Sequence, residues 1–403
     1  MIYVGIDWAK DSHAVAILDS EGRPLKACAV NHSGAALAAL QATLAALEPD
    51  PTAIAVAMEA HDGALLAWLL AAGYTVYAIN PKSAKRYRER HCPSGAKSDR
   101  TDAVLLARML RADGDTLRPV RPDSPQTQEL RAWVELRAAL VGERTQACQQ
   151  LQEYLGQWCP ELGALCDSPQ GLLWQRDLLA KWPLHTDLSA AHGNAVRAFT
   201  KAHRLGAKAR EALTAARAAL PLPLPAALQE CMRARISYLV TRLSDLAERI
   251  GQLERRLAQL VAAHPDVQLF ASLPITGTVT TATLMAAFGD DRQAPHGWQQ
   301  RACLWGVAPI TIQSGRSTSV RFRRGCDETA RHGLLYFALG TLRAPGCWAR
   351  ELYDAKRAAG KGHFGALRCV AQRWVKIIHA MWRDRTTYDE ATFRAARKPV
   401  PAV

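Results

Sequence analysis

Along the first eighty residues the apolar positions change period several times. Ile2, Val4 and Ile6 alternate with Tyr3 and Gly5 and end on Asp7, which predicts a strand with one buried face. Residues 13–18 and 25–30 read as two further strands joined by the turn Ser20-Glu21-Gly22-Arg23. Connections this short make the three an antiparallel meander. Residues 35–47, rich in alanine and leucine, predict a helix. Residues 53–58 predict a buried strand that ends at Glu59, residues 64–71 a helix, and residues 75–79 a last strand. Helices between strands imply parallel crossovers. Ser98 is a good N-cap, so a helix carrying Val104-Leu105-Leu106 starts at or near Asp99. The predicted order is three antiparallel strands, helix, strand, helix, strand, helix.

The rest of the chain reads as mainly helical. Residues 126–158 form a long helix with Leu130, Val134, Leu140, Val141, Cys148, Leu151 and Leu155 as its apolar positions, ended by Pro160. Residues 161–225 look helical and finish in Pro221-Leu222-Pro223-Leu224-Pro225, a stiff connector. Ile236, Leu239, Leu243, Leu246, Ile250, Leu253, Leu257 and Leu260 then follow at alternating spacings of 3 and 4, the seam of a coiled coil. Its partner is either the 126–158 helix or a second copy of the chain. Taken as an intermolecular seam, it predicts at least a dimer. Leu273-Pro274-Ile275-Thr276-Gly277 leads into a helix over 279–288, a turn similar to a helix-hairpin-helix backbone clamp. A final long helix carries Leu367, Val370, Trp374, Ile377, Ile378 and Met381 on one face and Arg368, Arg373, Lys376 and Arg383 on the other.

Composition narrows the class of partner. The 403 residues suffice for two or three domains, and 51 Lys+Arg against 37 Asp+Glu leave a formal net charge of +14. Between Arg292 and Arg383 sixteen basic residues face only Asp327, Glu328, Glu351 and Asp354, with Trp305, Trp348, Trp374 and Trp382 interleaved. A surplus of this kind points to a polyanion. The N-terminus lacks a signal-peptide pattern, and no apolar run reaches membrane-spanning length. The ten cysteines contain no Cys-x-x-Cys and are expected to be reduced core residues in a cytoplasmic, nucleoid-associated protein with no membrane partner.

The candidate chemistry lies in two stretches. In Lys97-Ser98-Asp99-Arg100-Thr101-Asp102-Ala103, Asp99 and Asp102 stand three residues apart near a helix start, where their carboxylates repel unless a cation lies between them. A basic connector precedes them, with Lys82, Lys85, Arg86, Arg88, Arg90 and Lys97, and is suited to hold a nucleic-acid backbone. The second stretch is Gln313-Ser314-Gly315-Arg316, followed by Arg321, Arg323 and Arg324. A serine beside glycine exposes its hydroxyl in a turn, and flanking arginines can hold a phosphodiester against it.

The order of elements resembles the ribonuclease-H arrangement, and the fold class expected is α/β plus mainly α: a ribonuclease-H/RuvC-like mixed-sheet domain, coiled-coil helices and a mostly helical basic C-terminal domain. In that fold Asp7, Glu59, Asp99 and Asp102 come to one edge of the sheet, an oxygen-only set suited to two Mg²⁺ ions, with Mn²⁺ as the substitute. With both stretches considered, the chain resembles the DEDD transposases of the insertion-sequence-110 family. Gly5-Ile6-Asp7, Met58-Glu59 and the Lys97–Ala103 motif match its RuvC-like part. Gly306-Val307-Ala308-Pro309, Gln313-Ser314-Gly315 and Arg323-Arg324-Gly325 match its C-terminal transposase part. Two departures stand out. The family has Pro-Gly-Ile-Gly where this chain has Pro274-Ile275-Thr276-Gly277. After Arg-Arg-Gly it tends to Asn or Lys, where this chain has Cys326-Asp327-Glu328.

The resemblance implies recombination of element ends and target DNA, guided by a structured RNA; the seam adds the expectation of a homo-oligomer, dimer or tetramer. Asp7, Glu59, Asp99 and Asp102 are then metal ligands and Ser314 the nucleophile, with Ser317 and Ser319 as neighbouring alternatives. Lys82, Lys85, Arg86, Arg88, Lys97, Arg316, Arg321, Arg323 and Arg324 contact nucleic acid. The domains expected are residues 1–124, 125–264 and 265–390, with 391–403 as a tail. Two other readings stand beside this one: a RuvC-like metal-dependent nuclease that uses water, and a non-catalytic nucleic-acid-binding protein.

Overall fold

In the computed structural model, residues 1–59, 63–91, 98–168, 173–292, 297–315 and 317–396 are described, with the side chains of 395 and 396 excepted. The chain divides into two compact units, Met1–Pro122 and Asp123–Val403.

The first unit is built on a five-stranded mixed sheet of order β3-β2-β1-β4-β5. Its strands are β1 (Ile2–Asp7), β2 (Ser12–Leu18), β3 (Pro24–Asn31), β4 (Ile54–Met58) and β5 (Thr75–Ala78). β1–β3 form the expected antiparallel meander, and β4 and β5 extend it in parallel. The helices α1 (Gly34–Leu47) and α2 (Ala64–Ala71) supply Leu37, Leu40, Leu44, Leu65, Leu66 and Leu69 to a core with Val4, Ile6, Val56 and Met58. The opposite face is lined by small residues, Gly5, Ala55 and Ala57. Strand alternation therefore puts Val4, Ile6, Val56 and Met58 on one face and Gly5, Ala55 and Ala57, with Tyr3 and Tyr77, on the other. Small residues let α4 (Asp99–Asp113) lie close to the sheet, with Leu106, Met109 and Leu110 filling the second core. The closest approach is at Gly5, where an added Cβ would stand 1.9 Å from the Ala103 carbonyl oxygen.

One expectation is corrected here. The basic connector contains a helix, α3 (Pro81–His91), capped by Asn80, whose side chain accepts from the Lys82 N–H at 2.9 Å. Its basic residues hid the pattern, because only Ala84 of this helix is buried. Lys97 lies outside the described residues.

The second unit is helical apart from one hairpin among the described residues. Its axis is an antiparallel pair, α5 (Pro125–Trp158) against α11 (Ala226–Ala263), whose direction is fixed by Arg256–Glu129, Arg137–Glu254 and Arg242–Glu143 ion pairs. All eight seam residues of α11 are buried within the chain, from Ile236 and Leu243 at 0% exposed to Leu253 at 8%. The seam therefore gives no argument for a dimer: α5 supplies the cover that a second copy was expected to provide.

One half of the pair packs with α6 (Pro160–Leu165), α7 (Leu173–Lys181), α8 (His185–Ala190), α9 (Gly193–Ala202) and α10 (Ala207–Ala218). The other half enters a larger core with α12 (Val267–Ala271), α13 (Thr278–Phe288), α14 (Trp298–Leu304), α15 (Glu328–Thr341), α16 (Trp348–Ala358) and α17 (His363–Asp384). A short α18 (Glu390–Ala396) follows, with Phe393 tilted against Trp348 and Arg394 bonded to Glu351 and the Gly346 carbonyl. Trp305, Trp348, Trp374 and Trp382 are at most 1% exposed and form the centre of this core, so these rings cannot stack on bases. Four of the basic residues counted above are also internal or committed. Arg301 is buried among Phe288, Trp305 and Trp382, and burial pushes it down to about 10. Arg331 is buried, Arg292 is tied to Asp266 and the Trp382 carbonyl, and Arg323 donates to the Cys303 thiol.

Among the described residues no two cysteines form a disulfide. Cys148, Cys159, Cys166 and Cys347 are buried as expected, whereas Cys231 is exposed. Burial pushes the Cys166 thiol up to about 12, so it is inert. Among the described residues no helix is long and apolar enough to cross a membrane.

Candidate active site

Asp7 is the last residue of β1, and Glu59 directly follows β4. Because Ile6 pairs in register with Met58, the two acids leave the same end of adjacent parallel strands. Both are half-buried. The end of β4 is tied to the next strand by the Ile79 N–H, which donates to the Met58 carbonyl at 2.8 Å. Asp102 enters from above, on α4. Ser98 caps that helix as its sequence predicts: its hydroxyl accepts from the Thr101 N–H at 3.2 Å and its carbonyl from the Asp102 N–H at 2.9 Å. The cap sets the helix start, and the bare Cα of Gly5, far off in the chain, sets its depth; Asp102 then lines one cavity with Glu59.

Asp102 is 3% exposed, which requires a partner. Arg88 of α3 supplies it, its Nε donating to the Asp102 carboxylate at 2.6 Å. Arg88 is therefore a committed ion-pair partner rather than a surface cation waiting for a phosphate. Glu59, Tyr87, Arg88 and Asp102 line one small cavity of about 10 Å³, with Ala84, Leu105, Leu106 and Met109 as its apolar wall. That space holds about one water molecule.

Asp99 was expected on the same face as Asp102, but it is exposed while Asp102 is buried. One turn of helix separates solvent from sheet here. Among the described residues no three His, Cys, Asp or Glu side chains converge as a metal site. The donor set is nonetheless oxygen-only, the chemistry that suits Mg²⁺. In this arrangement the Arg88 guanidinium neutralises the buried carboxylate.

Two neighbours of the acids were not singled out from sequence. Trp8, next to Asp7, is 50% exposed and stacks against His13 at 6.4 Å between centroids. His13 is buried, shares a 2.9 Å hydrogen bond with His32, and is held below the ordinary imidazole range by burial and then by His32. Trp8 was legible as an aromatic residue adjoining a strand-end acid. The role of Arg88 was not, since its partner lies fourteen residues on.

The serine stretch belongs to the second unit. It forms a hairpin, β6 (Ile310–Ser314) and β7 (Ser317–Arg321), with Ser314 paired to Ser317. Gly315 has φ +55°, the left-handed value a two-residue hairpin turn demands. Ser314 is exposed at the tip, and Arg321 and Arg324 are exposed nearby in sequence. Arg316 lies outside the described residues. Ile312 and Val320 leave 44% and 66% of their surface to solvent, so the hairpin is not packed into the core.

Lys82, Lys85 and Arg86 are exposed on α3, with Lys85 3.9 Å from Glu89. The turn before α13 contains Ile275 at φ +53°, a conformation that costs a β-branched residue strain. This is the position at which the resembled pattern carries glycine.

Comparison with known proteins agrees across both units. Residues 4–160 match the family model of the DEDD transposases of IS110 type, described as a transposase. Residues 267–354 match a second model, described as transposase of the IS116/IS110/IS902 family. The chain is similar to the IS117 mini-circle protein of Streptomyces coelicolor, 28% identical over 96% of this chain and 95% of that one. It is also similar to the uncharacterized 42 kDa protein of insertion element IS900 from Mycobacterium paratuberculosis, 27% identical over 98% and 99%. The uncharacterized 43.6 kDa protein of insertion element IS110 from Streptomyces coelicolor is 26% identical over 96% and 95%.

Proposed function

We propose, from the premise that the chain belongs to the IS110 family of transposases, that it cuts and rejoins DNA through Ser314 together with the acidic set Asp7, Glu59, Asp99 and Asp102. Transposition itself, the cleavage and rejoining of DNA strands, is the activity of the family. The single observation that carries the finer reading is the exposed Ser314 at the tip of an unpacked hairpin with cationic flanks. A nucleophile presented in this way can reach a phosphodiester without the protein core being disturbed.

In the proposed step the Ser314 Oγ–phosphorus bond forms and the bond from phosphorus to a deoxyribose oxygen breaks. The serine proton leaves to a base and the departing oxygen takes up a proton. Attack by a free deoxyribose hydroxyl on the same phosphorus reverses the sequence and releases the serine. Arg321 and Arg324 stabilise the charge on the phosphoryl oxygens. Asp7, Glu59 and Asp102, with Asp99 at the rim, are the residues that would hold Mg²⁺. When bound, such an ion supplies Lewis-acid polarisation of the phosphodiester. For Asp102 to serve as a ligand, Arg88 must move off it, and a DNA phosphate is a suitable new partner for a guanidinium.

The five-stranded mixed sheet is compatible with a ribonuclease-H/RuvC-like first domain, which we place at residues 1–124. The helical region 125–264, the serine-bearing domain 265–390 and the tail 391–403 complete the division. Lys82, Lys85, Arg86, Lys97, Arg316, Arg321 and Arg324 are assigned to nucleic acid, Arg323 joining them only by leaving Cys303, and a structured RNA is assigned as guide.

The test is denaturing electrophoresis after incubation with element-end DNA, the RNA flanking the element and Mg²⁺. A slow-migrating protein–DNA adduct is expected from the wild type and none from Ser314→Ala. An adduct that persists in Ser314→Ala, or cleavage by that variant at the wild-type rate, overturns the serine assignment. The second of these results is the behaviour of a nuclease that uses water.

A further inference from the structure

A cleft of about 400 Å³ opens between α14, α16 and α17, lined by Trp298, Leu352, Lys356, Cys369, Gln372, Arg373 and Lys376. Trp298 differs from four of the tryptophans of this core. It is half-buried, while Trp305, Trp348, Trp374 and Trp382 are sealed inside. Its ring meets a cation, with the Lys376 Nζ 5.7 Å from the centroid. Lys356 stands on the facing helix, and Arg373 and Lys376 are three residues apart on α17. None of the three cations has a carboxylate partner among the described residues. The acids that share a helix with Lys356 are committed elsewhere, Asp354 to Arg350 and Glu351 to Arg394. The wall thus combines one half-buried aromatic ring with Lys376 over it, the two further cations Lys356 and Arg373, and the Gln372 amide, with no acid among the lining residues.

We propose that this cleft binds an unpaired nucleotide, its base stacked on Trp298 and its flanking phosphates held by Lys356, Arg373 and Lys376. An aromatic platform beside a cationic track is how proteins hold single strands irrespective of sequence. A duplex keeps its base faces stacked and cannot offer one to Trp298. The Gln372 side chain has a donor and an acceptor to meet the edge of the base. The inference rests on the transposase reading only in taking nucleic acid as the ligand, and is independent of Ser314 and the acidic set.

Fluorescence anisotropy of the full-length protein with a labelled ten-nucleotide oligothymidylate, the matching oligouridylate and a duplex of equal length tests it. Trp298→Ala should weaken binding of at least one single strand about tenfold and leave the duplex within twofold. The strand that loses more identifies DNA or RNA as the source. Trp298→Phe keeps a stacking face and should restore most of the affinity. Lys356→Gln with Arg373→Gln alters half-exposed and exposed side chains, so folding is retained even if Trp298→Ala misfolds. This pair should lower the salt slope of single-strand binding by about 1.4, the value for two lost phosphate contacts. Unchanged single-strand affinity in both variants, or an equal loss on the duplex, overturns the proposal. Loss of the covalent adduct in Ser314→Ala neither supports nor weakens it, so the two readings fail separately.

Discussion

Replacing Gly5 by alanine perturbs the contact on which the first unit's acids depend. The new Cβ would lie 1.9 Å from the Ala103 carbonyl oxygen and 2.7 Å from the Ala107 amide nitrogen. Ordinary carbon–oxygen contact begins at about 3.3 Å, so β1 and α4 must separate by about 1.4 Å. Both sides of the clash are backbone, which no rotamer change can relieve. Overpacking of this kind costs about 1–3 kcal/mol and occasionally more, and two backbone clashes argue for about 3 kcal/mol. The same displacement carries Asp102 away from Glu59, with which it lines one cavity. A 1 Å misplacement of a reacting group is worth about 10²-fold in rate, so strand transfer should fall by at least that factor in whatever protein remains folded. Gly34→Ala is the control, because a Cβ there meets nothing within 4 Å. Urea unfolding followed by circular dichroism reads the stability, and a recombination assay reads the transfer. If Gly5→Ala unfolds within about 0.5 kcal/mol of the wild type while Gly34→Ala does the same, the claim that bare backbone at Gly5 sets the depth of α4 is wrong.

Other predictions follow from single contacts. Arg88→Ala strands the buried Asp102 carboxylate and should cost about 2 kcal/mol. A double-mutant cycle with Asp102→Asn should show a coupling above about 1 kcal/mol, and additive losses would refute the ion pair. Asp102→Asn should consequently destabilise the fold, even though it removes a charge from an acidic set. Ile275→Gly relieves a left-handed β-branched residue and should raise stability by about 1 kcal/mol in urea unfolding; a loss would show that the side chain's packing outweighs the strain. His13, His264 and His379 are all held below the ordinary 6.5 by burial, and the unfolded chain therefore binds protons more readily than the native one. Stability should be full above about pH 6.5 and decline as pH falls below it, and a melting temperature independent of pH between 7 and 5 would contradict this sign.

How far the sequence reaches is visible element by element. Strand alternation in β1, β2 and β4, the alanine-rich α1 and the Ser98 cap are short-range patterns, and each stands where its pattern placed it. The seam of α11 was equally plain as a pattern. Its partner was not, because a 3-4 repeat specifies that a face must be covered and not whether α5 or another chain covers it. The acids were legible as acids at strand ends and a helix start, since position along an element follows from local sequence. Their state was not. Arg88 read as one cation in a basic run, and only the packing of α3 against α4 makes it the partner of Asp102. The tryptophans of the C-terminal region show the same division. Composition counts Trp298 and Trp374 alike, but burial depends on which helices close over each ring, a non-local outcome that leaves four rings in the core and one half-buried beside three cations. Sequence thus determined the local elements, the residue types at their ends and the polyanion-seeking charge. Tertiary structure decided which of those charges are already paired, which aromatic faces remain free and which apolar seam is already filled, because each of these is settled by contacts between residues far apart in the chain.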